Sequence, residues 1–218
     1  MARKTKEQAA ETREQLLDAA ERVFHDKGVS RATLDDIARD AGMTRGAIYW
    51  HFKNKTDIFT AMCDRVTLPM QAMLEAQLAD PTDDPLGQMA SDGARILSRV
   101  ASDPSTMRVF EILLFKTELS EVVADVMAEE AERAATCRRQ LATILRSAQQ
   151  RGQIPAHVDC YLAAFALNSF LVGCIREWLE LREFDLAERA EWLMWTFFAG
   201  LKHAPVDKCN TAAIQEHI

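Results

Sequence analysis

Apolar residues recur along this chain at intervals of three and four, the spacing of one face of a helix. Leu34, Ile37, Ala38 and Ala41 make one such stripe on a short helix. Thr33 precedes it, and Asp36 follows three residues on, the pairing of a capping box. Gly42 then stands where a chain leaving a helix takes a left-handed residue, and Met43 can turn inward. Thr44 offers a second N-cap for a short helix over about residues 45–51. Ala47, Ile48 and Phe52 face the first helix, while Arg45, Gly46, Tyr49 and Trp50 are left outside. Two short helices joined by a tight glycine turn read as a helix-turn-helix, whose second helix is the one that enters a DNA major groove.

The same periodicity predicts the remaining elements. Leu16, Leu17, Ala20, Val23 and Phe24 line a helix over about residues 6–27, stopped by Gly28. A long helix over 55–79 carries Ile58, Phe59, Met62, Val66, Met70, Met73 and Leu74, with Pro69 expected to kink it. Residues 80–85 are a turn-rich break. Helices over about 86–102, 105–116, 121–151, 159–181 and 186–203 follow, the third of these closed by Gly152. The expectation is an all-α fold of about nine helices. A three-helix DNA-binding domain occupies 1–55, a helical ligand-binding and dimerisation domain 56–205, and a flexible tail 206–218. The helix over 55–79 is the visible mechanical link between the two ends. Residues 1–5 form a basic arm that suits either a solvated end or a minor-groove contact.

Charge sharpens the division. Residues 1–56 carry 11 Lys/Arg against 9 Asp/Glu, a net of +2, and the remainder carries 15 against 24, a net of −9. An acidic body under a mildly basic head suits a protein that offers only one end to a polyanion. No stretch reaches the roughly 18 uninterrupted apolar residues of a membrane span. The basic start is not followed by the apolar run of a secretory signal. The five cysteines (Cys63, Cys137, Cys160, Cys174, Cys209) are scattered without a CxxC, which reads as reduced thiols in a cytoplasmic protein. The chain lacks the catalytic motifs HExxH, GxSxG and GxGxxG and a P-loop, and His157 with Cys160 has no second pair to complete a zinc site. Neither enzyme activity nor any cofactor or metal is expected.

A recognition helix needs phosphate contacts for register and base contacts for sequence. Thr44 at a helix N-terminus suits a phosphate. Arg45 fits the O6 and N7 edge of guanine, and the small Gly46 and Ala47 let the helix sit deep. Tyr49, His51, Lys53 and Lys55 suit phosphates, and Trp50 suits the sugar-phosphate edge. Trp50 and His51 fit packing roles equally well. With Thr33, these are the candidate DNA contacts.

The segments TLDDIARDAG and TRGAIYWHFKNK resemble the DNA-binding domain of TetR-type bacterial repressors, and the opening MARKTKEQAAETREQLLDAAERVFHDKGVSRAT resembles that family's first helix. The likeness is greatest to the AcrR/TtgR-like branch that controls multidrug efflux pumps. It is dense over roughly the first 60 residues and weaker at FEILLFKTE and around residues 173–179. The resemblance implies repression relieved by a small apolar or aromatic effector, bound between the fourth and eighth helices. Carried onto this chain, the lining would be Val66, Met89, Leu97, Phe110, Leu113, Leu114, Cys137, Ile144, Asn168, Leu171 and Val172, with Glu111, Gln140 and Arg176 as polar anchors. The nine methionines suit an adaptable apolar cavity, although stripes of this kind also serve as plain core. Double-stranded operator DNA is the second expected partner.

A homodimer is the third. Leu186, Ala190, Leu193, Met194, Phe197 and Leu201 form a near-heptad stripe, and Ala166, Ser169 and Gly173 form a small-residue strip. Paired across a two-fold axis, the last two helices would make a four-helix bundle. The alternative function is constitutive DNA binding, with a filled C-terminal core and no effector.

Overall fold

A computed structural model describes residues 6–117 and 121–206, with side chains for all of these except 121–130. The basic arm and the tail beyond residue 206 lie outside the described residues. Nine helices and no strand are present among them: α1 (Lys6–Lys27), α2 (Leu34–Asp40), α3 (Arg45–His51), α4 (Lys55–Ala79), α5 (Pro85–Ser102), α6 (Pro104–Phe115), α7 (Glu121–Gln150), α8 (Cys160–Leu181) and α9 (Leu186–Lys202). The all-α expectation holds, and the helices begin and end close to where their stripes and breakers placed them.

The chain divides into two compact units. One holds Met1–Met70 with Ser102–Arg133, and the other holds Gln71–Ala101 with Ala134–Ile218. The first unit therefore contains α6 and the front of α4 as well as α1, α2 and α3.

In that first unit Leu16, Leu17, Val23 and Phe24 of α1 pack with Ile37, Ile48, Ile58, Phe59, Met62, Val109 and Ile112. The Phe24 and Phe59 rings meet edge to face at 5.7 Å, the arrangement their quadrupoles favour. Each such side chain contributes roughly 1.5–3 kcal/mol when fully buried. Gly28 has φ +78° and ends α1 in the left-handed region. Just after it, the Val29 amide donates to the Lys116 carbonyl at 3.2 Å, joining the α1 exit to the end of α6.

The second unit buries Leu86, Met89 and Leu97 of α5, Ile144 and Leu145 of α7, Leu167 and Ile175 of α8, and Leu186, Met194 and Phe198 of α9. A Cβ at Gly93 would lie 2.4 Å from Cε of Met194, so α5 and α9 approach closely there. The α8–α9 turn needs no glycine. Arg182 takes the left-handed cap (φ 49°), and the Trp178 indole N–H donates to the Phe184 carbonyl at 2.8 Å.

α4 is one helix with Pro69 inside it, over the span the sequence assigned. α8 is long and apolar enough to cross a membrane by length and composition, although no stretch had qualified on an uninterrupted apolar run. Its apolar residues are divided between two faces. Ala163, Ala164, Leu167 and Ile175 are buried, while Leu162, Phe165 and Val172 are exposed.

Candidate nucleic-acid interface

The turn between α2 and α3 is built as its residues imply. Thr33 Oγ1 accepts from the Asp36 amide at 3.1 Å, and Asp36 Oδ2 accepts from the Thr33 amide at 3.2 Å, closing the capping box. Lys27 reaches Asp36 at 2.7 Å and Arg39 reaches it at 3.2 Å. The Lys27 hydrogen bond, followed by that from Thr33, pulls the Asp36 carboxyl down to about 2. Gly42 has φ +67°, and the Met43 amide returns to the Ala38 carbonyl at 2.8 Å. Thr44 Oγ1 then caps α3 by accepting from the Ala47 amide at 3.3 Å.

This frame fixes the outward face of α3. Arg45, Gly46, Tyr49 and Trp50 are exposed, Ala47 and His51 are half-buried, and Ile48 is buried. Trp50 is 71% exposed, with its ring edge-on to His51 at 4.5 Å. The Arg45 guanidinium lies 5.4 Å from the Tyr49 ring centroid, and its Nε lies 3.4 Å from Asp35 Oδ1. The Tyr49 hydroxyl and then the Asp35 carboxylate raise the Arg45 pKa above its ordinary value. Lys53 is exposed and follows α3 directly.

Three candidates are engaged within the chain as supports. The Thr33 and Thr44 side chains cap α2 and α3. Lys55 Nζ donates to the Ser30 and Ala32 carbonyls at 2.8 and 3.1 Å, so its ammonium holds the α1–α2 loop, and burial lowers its pKa. Sequence reading missed Asp35, and it missed Arg13, whose guanidinium lies 5.2 Å from the Phe52 ring centroid. Neither juxtaposition has a local signal, because each joins residues far apart in sequence.

The expected effector residues fall in both units. In the first, Val66 is buried in the core, Phe110 and Leu113 pack against it, and Leu114 is half-buried. Glu111 lies 3.0 Å from His25 Nε2, so its carboxylate already has an imidazole partner. In the second, Met89, Leu97 and Ile144 are buried, and Cys137, Gln140, Asn168 and Leu171 are half-buried. Val172 and Arg176 are exposed. Burial raises the Cys137 thiol pKa. A groove of ≈ 370 Å³ opens on the α8–α9 surface beside Phe170, Cys174, Trp178, Phe184 and Leu193, and none of the expected effector residues lines it.

The anticipated α9 stripe is half core. Leu186, Ala190 and Met194 are buried within the single chain. The exposed apolar residues of these two helices include Trp192 and Trp195 on α9, with Leu162 and Phe165 on α8. Ala166, Ser169 and Gly173 are exposed as expected. Among the described residues, no group of three or more His, Cys, Asp or Glu side chains is placed to hold a metal ion.

A capped helix-turn-helix with an exposed second helix, set in an all-helical chain, is the architecture of a DNA-binding protein. Residues 16–62 match the family described as bacterial regulatory proteins, tetR family, and residues 84–203 match the C-terminal region of MAATS-type transcriptional repressors. The HTH-type transcriptional regulator TtgR of Pseudomonas putida is 38% identical over 181 residues, 83% of this chain and 86% of that protein. The crystal structure of NalD, the secondary repressor of the MexAB-OprM multidrug efflux pump in Pseudomonas aeruginosa, superposes with a TM-score of 0.79 at 30% identity, covering 90% of this chain and 98% of NalD. The complex of SmeT with triclosan gives 0.78 at 30% identity, covering 87% and 90%; SmeT is the repressor of a Stenotrophomonas maltophilia multidrug efflux pump. The chain belongs to the TetR family of transcriptional regulators, and it is not an enzyme.

Proposed function

We propose that this protein is a homodimeric repressor of a multidrug efflux pump operon, released from its operator by a small apolar or aromatic molecule. The carrying observation is Gly46. It sits exposed in the first turn of α3, and its φ lies outside the left-handed region that favours glycine. A Cβ there would meet only Thr44 Oγ1, at 3.9 Å, so the fold does not require glycine at this position. Close approach to DNA does. Beside it, Arg45 reads a base edge, Tyr49, His51 and Lys53 hold phosphates, and Trp50 lies along the backbone. Lys55 supports the loop that carries Thr33.

One such head covers too little DNA for operator affinity, and a two-fold dimer doubles the contacts. Trp192, Trp195, Leu162 and Phe165, exposed beside the small-residue strip, are the apolar surface for that pairing. A bacterial operator-binding protein works in the cytoplasm, where the chromosome lies.

Repression of multidrug efflux pumps by NalD and SmeT and the complex of SmeT with triclosan support effector release. α4 contributes residues to both compact units, so a ligand that shifts α4 changes the spacing of the two heads. Taking occupancy from mostly bound to mostly released requires a preference of about 5.5 kcal/mol between the two states.

A gel shift on the DNA upstream of the protein's own gene, with triclosan and a panel of drugs and plant phenolics, tests the reading. A salt-sensitive complex that one compound dissolves is expected. A complex that no compound disturbs would favour the constitutive alternative, and no complex at low salt would refute the DNA-binding roles.

A further inference from the structure

Asp35 is an acidic residue set against the proposed base-reading arginine. It lies in the first turn of α2, and Arg45 opens α3. Their closest approach is 3.4 Å, between Asp35 Oδ1 and Arg45 Nε, with the two side chains 47% and 71% exposed. The Arg45 guanidinium carbon also lies 5.4 Å from the Tyr49 ring centroid. Arg45 is thus held beside a carboxylate and a ring before any DNA arrives.

Two physical consequences follow. A long arginine stem restrained in advance loses less freedom when it binds. The carboxylate also makes the site unequal toward its two possible acceptors. A phosphate that takes Arg45 must displace Asp35 or sit beside its negative charge. The O6 and N7 edge of guanine is neutral and meets no such repulsion. Phosphate contacts carry no sequence information, so an arginine turned away from phosphate gains selectivity at the expense of general affinity.

We propose that Asp35 is a specificity-determining positioning residue: it holds Arg45 for a neutral base edge, and its charge turns that arginine away from phosphate. The proposal rests on the reading that Arg45 contacts bases.

The test uses the full chain and two duplexes of equal length. One is the sequence that the wild-type protein enriches from a random pool, and the other is a scrambled control. The readout is the ratio of the two affinities at physiological salt, together with the melting temperature of each variant. Asp35→Asn is expected to tighten binding to the scrambled duplex about threefold, the effect of one unit charge several ångströms away in water. Asp35→Ala is expected to lower the ratio about tenfold, within the discrimination that one bidentate base contact supplies. Asp35→Glu should restore most of it. Asp35→Ala should leave the ratio of the Arg45→Ala variant unchanged, because its effect on selectivity acts through that residue.

If both affinities fall in step with the melting temperature while the ratio stays constant, Asp35 is merely structural and the proposal is overturned. If Arg45→Ala lowers the ratio and the Asp35 variants do not, the proposal alone fails. If Arg45→Ala leaves the ratio unchanged, or if no sequence is enriched, the base-reading role fails and takes the proposal with it.

Discussion

Asp36 accepts from both the amide and the hydroxyl of Thr33, and it pairs with Lys27 and Arg39. Its carboxyl is held near 2, below the ordinary 3.8. A lowered folded-state value stabilises the head above the ordinary value, and that contribution is lost as pH falls through about 2. Asp36→Asn is therefore expected to lower the melting temperature at neutral pH. Its melting curve should also be flatter than the wild type's between pH ~4 and ~2. Calorimetry across that range checks it, and two parallel curves would count against the role assigned here. Gly42 is a second single-residue device. Nothing lies within 4 Å of a Cβ built there, so the demand for glycine comes from φ +67° alone.

At the scale of elements, α1 is tied to α4 and α6 through one buried carboxylate. Glu21 is 1% exposed and accepts from Ser105 Oγ at 2.8 Å, Arg65 Nη1 at 3.1 Å and Arg108 Nη1 at 3.4 Å. Arg65 also meets Asp18 at 2.8 Å and Glu14 at 3.4 Å. Burial raises the Glu21 pKa against the lowering effect of Ser105 and the two arginines. Stability from such a group is fully present below its ordinary value of 4.5 and is lost as pH rises through the raised one. Arg65→Ala removes a counter-charge and leaves Glu21 costlier to ionise. The expected loss is about 3 kcal/mol at pH ~8 and less at pH ~5, where Glu21 can take up a proton. Urea unfolding at the two pH values measures this. An equal loss at both would mean that packing of the arginine stem dominates.

For the whole molecule the decisive surface is the apolar one on α8 and α9. Trp192 is 65% exposed and Phe165 is 54% exposed, and Trp195 and Leu162 are exposed with them. An exposed aromatic surface of this kind marks an interaction site. Replacing both Trp192 and Phe165 by Lys is expected to leave the helical content unchanged and to give monomers in sedimentation. Losing the second head should weaken operator binding about 100-fold or more. A variant that stays dimeric would move the interface elsewhere on the chain.

What the sequence determined is what is encoded within three or four residues. Thr33 with Asp36, Gly42, Thr44 and the stripe through Ile37 and Ile48 specify the helix-turn-helix, because caps, left-handed turns and apolar faces are local demands. The small, exposed Gly46 and the outward Arg45, Tyr49 and Trp50 were legible for the same reason. Juxtapositions between elements were decided only in the tertiary structure. Lys55 meets the Ser30 and Ala32 carbonyls, Asp35 meets Arg45, and Glu111 meets His25. α6 joins the compact unit that holds the helix-turn-helix. On α9, Leu186, Ala190 and Met194 turn into the chain's own core and Trp192 and Trp195 turn out. A helix with apolar residues on more than one side does not say which side will be covered. That depends on how its neighbours pack, and residues far apart in sequence settle it.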